Sequence, residues 1–120
     1  MYNMMNPASF KALIQKTLED HKAQNIVALD VRPLTDIMDV MIVCTATSTR
    51  HAKTLADKLI QASKMAHRPP LGVEGENEGA WVLIDLEDVV VHIMLERERD
   101  YYHLEKLWAA TENLKKQRET

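Results

Sequence analysis

Phe10, Leu13, Ile14, Thr17, Leu18 and His21 recur at steps of three and four, so the first pattern along the chain is a helix with one apolar face. Asn6 is placed to cap it, and Pro7 to open it, where a missing backbone N–H costs nothing. The periodicity fades at Gln24-Asn25, and "IVALDV" (26–31) follows as a short β-branched strand. "RPL" turns the chain into "VMIVCTA" (40–46), apolar throughout and therefore expected inside a sheet. Ser48 then caps a second helix whose buried stripe is Ala52, Leu55, Ala56, Leu59 and Ile60, and "HRPP" ends it. A short strand is expected over 71–74, then a glycine-bearing acidic loop. "WVLID" and "VVVHIM" form an antiparallel hairpin through "LED". From Glu96 a charged run enters a last helix, in which Tyr101, Leu104, Leu107 and Trp108 keep helical spacing and Leu114 extends it.

The resulting order is α-β-β-α-β-β-β-α, with neither repeats nor a long linker. It predicts a mixed α/β fold of one domain, a five-stranded sheet flanked by helices. The expected organisation is a flexible start over 1–8, one domain over 9–110 and a polar tail over 111–120. No apolar run approaches the roughly 20 residues of a membrane span. The opening "MYNMMNPASF" has neither the basic patch of a signal peptide nor an arginine. A single cysteine, Cys44, inside an apolar run fits a reducing, cytoplasmic setting.

Charge changes the picture more than composition does. Between Glu74 and Asp100 stand nine acidic residues against Arg97 and Arg99, a net −7; the whole chain is −3, so the remainder carries +4. Nucleic-acid binding is driven by basic excess, so this distribution argues against direct nucleic-acid specificity. An acidic strip suits a basic protein partner, although acidic loops also serve as plain soluble surface.

Asp30, Asp39, Asp85, Asp88 and His92 lie at or near strand ends, where catalytic carboxylates often sit. A nucleotidyl-transfer site would need an Asp-x-Asp metal pair and a glycine in the phosphate loop. The loop here reads "TATSTR", with no glycine, and no Cys cluster or His-x-x-x-His pair is present. Each carboxylate is better explained as a turn or strand-end residue, and no cofactor or metal is expected. Ser48, Arg50 and His51 open a helix that could attract an anion, but a cap is the simpler role. His92, alone in an apolar strand, reads as a hydrogen-bonded core residue. Trp81 keeps two readings, an interface anchor or a lid over the core.

Taken together, "ALDVR" (28–32), Asp39, Ser48 with Arg50-His51, "GVEG" (72–75), "WVLID" (81–85), "DVVVH" (88–92), Arg99, Tyr102 and "LEKLW" (104–108) resemble the ribosomal silencing factor, or Iojap, family from about Phe10 to Trp108. Departures are Val40-Met41 in place of an aromatic pair, Ala46 in place of a glycine, and Met94 in place of an aromatic. The resemblance implies a nucleotidyltransferase-like topology without its catalytic motifs, and a non-enzymatic repressor of translation. Such a protein binds the large ribosomal subunit through ribosomal protein number fourteen and keeps the small subunit from joining when nutrients are short. On that reading Glu74, Trp81, Asp85, Asp88, Tyr102 and Leu104 are the expected partner-binding residues, with an edge strand as another contact mode. His92, Leu107 and Trp108 are assigned to folding. A homodimer off the ribosome would cover an apolar patch around Trp81. The alternatives are a large-subunit assembly factor with the same partner, and a nucleotide-binding enzyme using Asp30, Asp39 or Ser48.

Overall fold

In a computed structural model the described residues are 6–33 and 38–101, the last two by their backbone only. Helix α1 (Pro7–Asp20) starts where the cap predicts: Asn6 Oδ1 accepts from the Ser9 N–H at 2.8 Å. Phe10, Ile14 and Leu18 are its buried stripe. Strand β1 (Gln24–Asp30) begins two residues before "IVALDV", with a bulge between Gln24 and Val27 and Asn25 in the left-handed region (φ 49°). Strand β2 (Val40–Ala46) matches its predicted bounds. Helix α2 (Thr49–Met65) buries Ala52, Leu55, Ala56 and Leu59 as expected, while Ser63 joins the stripe and Ile60 stays half-buried. Its exit is set before the prolines, by His67 at φ 62°. Strands β3 (Gly72–Glu74), β4 (Trp81–Asp85) and β5 (Val89–Leu95) complete the sheet, and α3 (Glu96–Tyr101) begins directly after β5.

The five strands run in the order β1-β2-β5-β4-β3. Only β2 and β5 are parallel; the other three pairs are antiparallel, so the sheet is mixed. β2 and β5 are interior strands and are buried along nearly their whole length, which explains their continuous apolar runs.

Period-two alternation sends successive side chains to opposite faces. One face (Ile42, Cys44, Val82, Ile84, Val91, Ile93) packs with Phe10, Ile14, Leu18 of α1 and Ala52, Leu55, Leu59 of α2. The other face groups Val31, Met38, Met41, Val43, Leu83, Val90 and Met94, with Leu29 and Trp81 packed beside them. Met41 and Met94 are both fully buried. Two of the departures from the family pattern are thus apolar fillers, as the adaptable methionine side chain allows.

Three arginine and histidine contacts tie the elements together. Arg68, after α2, donates to Asp88 Oδ2 at 2.9 Å and lies 4.2 Å from the centre of the Phe10 ring. The Asp88 carbonyl in turn accepts from the N–H groups of Asp39 and Val40, so one short segment joins α1, β2 and the β4–β5 turn. Arg99 Nη1 in α3 donates to the Asn25 carbonyl at 2.6 Å and to Thr45 Oγ1 at 2.8 Å, holding the bulge of β1. His51 bridges the helices: its Nδ1 accepts from the Thr47 N–H at 2.9 Å and its Nε2 donates to the His21 carbonyl at 2.8 Å.

Candidate functional site

The strongest local geometry lies at the start of β4. Glu74 ends β3, and Gly75 follows with φ 79°, a conformation that side chains resist. A Cβ on Gly75 would sit 2.1 Å from the Trp81 carbonyl oxygen, so the chain turns there in direct backbone contact. Gly79, at φ 74°, donates its N–H to the Gly75 carbonyl and lies against Thr49 and Lys53 of α2. The Leu95 N–H donates to the Ala80 carbonyl. Two glycines therefore lock the acidic loop onto the first turns of α2, with Glu74, Glu76 and Glu78 exposed along it. Rigid loops of this kind display side chains at little entropic cost on binding.

Trp81 leaves that loop and opens β4, only partly buried. Its indole N–H donates to His92 Nδ1 at 2.9 Å, the ring centres 5.8 Å apart and tilted by 37°. The β4–β5 register pairs Trp81 with Met94 and Leu83 with His92, so Trp81 and His92 are diagonal neighbours on one face. His92 is fully buried, and its Nε2 has no hydrogen-bond partner among the described residues. Burial pushes its imidazole down to about 4, so the ring is neutral and, with Nδ1 accepting, carries its proton on Nε2. The expectation that His92 is a hydrogen-bonded core residue holds. What periodicity did not disclose is its partner. The register of a tight hairpin is the signal that places the two rings together, since it can be counted from the turn outward.

The other two acidic candidates are engaged within the domain. Asp85 is 3% exposed, and its Oδ1 accepts from the Glu87 N–H at 3.0 Å. This contact supports Glu87 at φ 75°, a turn position that glycine usually fills. Asp88, about one-third exposed, is paired with Arg68. Tyr102 and Leu104 lie outside the described residues, as do Leu107 and Trp108.

The carboxylates that a nucleotidyl-transfer reading would use line a different place. A cleft of about 280 Å³ is bordered by Lys11, Asp30, Arg32, Asp39 and Asp88. Asp30 is committed to Arg32, which contacts it at 2.6 and 2.9 Å and whose hydrogen bonds hold the carboxyl down at about 2. Ser48 caps α2, accepting from the His51 N–H at 3.0 Å, so Ser48 and His51 are both occupied as structural groups. Cys44 is buried, which pushes its thiol up to about 12 and leaves it without nucleophilic character at neutral pH. No group of three or more metal-ligating side chains occurs among the described residues.

The chain from residue 6 to 120 matches the family model described as "Ribosomal silencing factor during starvation". It is 44% identical over 96 residues to the Ribosomal silencing factor RsfS of Haemophilus influenzae, covering 80% of this chain and 94% of that one. A crystal structure of a Chromobacterium violaceum protein, 42% identical, superposes with a TM-score of 0.82 over 88% of both chains. The mouse protein named "Mitochondrial assembly of ribosomal large subunit protein 1" is 29% identical over 99 residues, which are 80% of this chain but 43% of that longer protein. The five-stranded mixed sheet, the glycine-locked acidic loop and the agreement along nearly the whole chain have one meaning: this protein belongs to the ribosomal silencing factor family.

Proposed function

We propose that this protein represses translation as a non-enzymatic cytoplasmic factor that seats on the large ribosomal subunit, against ribosomal protein number fourteen, and blocks small-subunit joining. The observation that carries the reading is the pairing of a partly exposed Trp81 with a rigid loop bearing Glu74, Glu76 and Glu78. An aromatic anchor rimmed by charge is the usual make-up of an energetic hot spot. Ribosomal proteins are generally basic, so the acidic rim complements them and speeds encounter.

Obstruction needs no catalysis. Subunit bridges require atomic contact, and the folded chain measures 44 × 30 × 24 Å. A body 24 Å thick in its least dimension, placed on one bridge surface, holds the subunits apart. Within this reading Asp85 and Asp88 shape the hairpin end, and the charge that meets the partner belongs to the loop.

The test is subunit joining followed by sucrose-gradient sedimentation at fixed magnesium and salt. Wild-type protein should travel with free large subunits and suppress the joined ribosome. Trp81→Ala combined with Glu76→Lys and Glu78→Lys should do neither while retaining a wild-type circular dichroism spectrum. Normal joining in the presence of excess wild-type protein would refute the reading. The likeness to the mouse assembly protein favours a second role on the same partner, maturation of the large subunit. Accumulation of immature large subunits on depletion, with joining unaffected in vitro, would select that role.

A further inference from the structure

We infer that His92 is a positioning residue for the docking surface: by accepting the Trp81 indole N–H it fixes the orientation in which Trp81 meets the large ribosomal subunit. The inference rests on the reading of Trp81 as an anchor. It begins from the question of why a histidine stands where it does.

His92 occupies the middle of β5, between Val91 and Ile93 along the strand and between Val90 and Met94 on its own face, all fully buried. Its cross-strand neighbours are Leu83 in β4 and Val43 in β2. An aliphatic side chain would fill such a site without burying polar atoms. The imidazole buries two, and among the described residues only Nδ1 has a partner. Burying a polar ring costs more than burying an aliphatic one, so packing by itself does not explain the residue. The nitrogen that is used accepts from Trp81. Indole has one donor and no acceptor, and Nδ1 meets that single requirement.

The consequence for docking follows from the backbone. Gly75 sits against the Trp81 carbonyl and fixes the main chain at the start of β4. The bond to His92 restricts the torsions of the side chain, which also packs beside the sheet face that holds Met41 and Met94. An anchor already held in its bound orientation loses less entropy on association than one that must be ordered at that moment. His92 is itself fully buried, so its effect on a partner acts through Trp81.

Two substitutions separate positioning from packing. His92→Leu keeps an apolar filler and removes the acceptor. His92→Asn places an amide oxygen near the former position of Nδ1. Affinity for purified large subunits would be measured by co-sedimentation, stability by thermal unfolding, and the indole N–H by proton–nitrogen NMR, with Trp108→Phe identifying the Trp81 signal. His92→Leu should fold with a melting temperature at or above wild type, show an upfield, faster-exchanging Trp81 N–H, and bind about tenfold more weakly. His92→Asn should recover most of the affinity despite lower stability. Trp81→Phe, which keeps an aromatic ring but loses the pyrrole half of the indole with its donor, should weaken binding at least comparably, and adding His92→Leu to it should change nothing further.

Wild-type affinity in His92→Leu, or affinity that simply follows melting temperature across the variants, overturns the inference. Should neither His92 variant fold, wild-type affinity in Trp81→Phe overturns it instead. Trp81→Ala marks which idea has failed. If that variant binds normally, the anchor reading falls and takes this inference with it; if it loses binding while His92→Leu does not, only the positioning falls.

Discussion

At the scale of single residues, burial decides chemistry in this protein more than proximity of charge does. Among the described residues, His92 and Cys44 have the ionisable side chains pushed furthest toward neutrality, and both lie in interior strands. The effect on His92 has a sign that can be measured. Unfolded histidine titrates near 6.5, whereas burial holds the folded imidazole at about 4. Between those values the unfolded chain takes up a proton that the folded chain refuses, so stability falls as pH drops from about 6.5 to about 4 and is level below. The total loss is about 3 kcal/mol. Asp30, also held low but by Arg32 at the surface, loses its contribution at lower pH, as its carboxyl protonates between 3.8 and about 2. Urea unfolding should show His92→Leu at least as stable as wild type at pH 7 and ahead by a wider margin at pH 4.5, because only the wild type carries the depressed imidazole. Equal pH dependence in the two proteins would mean that His92 is hydrated or charged in the fold.

At the scale of elements, the loop over residues 75–80 and the turn over Glu87-Asp88 are the two places where local geometry is forced. Gly75→Ala introduces a Cβ at 2.1 Å from a backbone oxygen in a left-handed conformation, and neither neighbour is a flexible side-chain end. We expect a loss of at least about 2 kcal/mol in chemical denaturation. Large-subunit affinity should fall with it, because the loop carries the acidic rim. Element positions were largely legible in the sequence. The cap at Asn6, the proline after it, the bounds of β2 and the hairpin strands all follow from local rules that act within a few residues. The bulge of β1 was not legible, since Asn25 adopts a positive φ where Arg99 reaches its carbonyl from a residue 74 positions away. The turn at Glu87 escaped for a similar reason. A glutamate at φ 75° carries no turn signature, and its support comes from the Asp85 carboxylate.

At the scale of the whole molecule, the −7 window from Glu74 to Asp100 sets a net field on one stretch of an otherwise basic chain. Such a field acts mainly on encounter and is screened beyond about 10 Å at 0.1 M salt. Stopped-flow association with large subunits should therefore slow by roughly tenfold between 0.05 and 0.5 M salt, with dissociation little changed. Glu76→Lys with Glu78→Lys should flatten that dependence; an unchanged salt slope would remove the loop from the encounter surface. The sequence alone determined the order of the elements, the mixed α/β class and the family likeness, because periodicity, caps and motif spacing are short-range properties of the chain. It also located the acid-rich loop and Trp81. The tertiary structure decided which carboxylates are spent inside the domain and which stand outside it. Asp85 and Asp88 look no different from Glu76 and Glu78 as letters, but a turn N–H and Arg68 claim the first two. It also showed that Trp81 and His92, which the hairpin register only makes neighbours, are joined by a hydrogen bond into one unit.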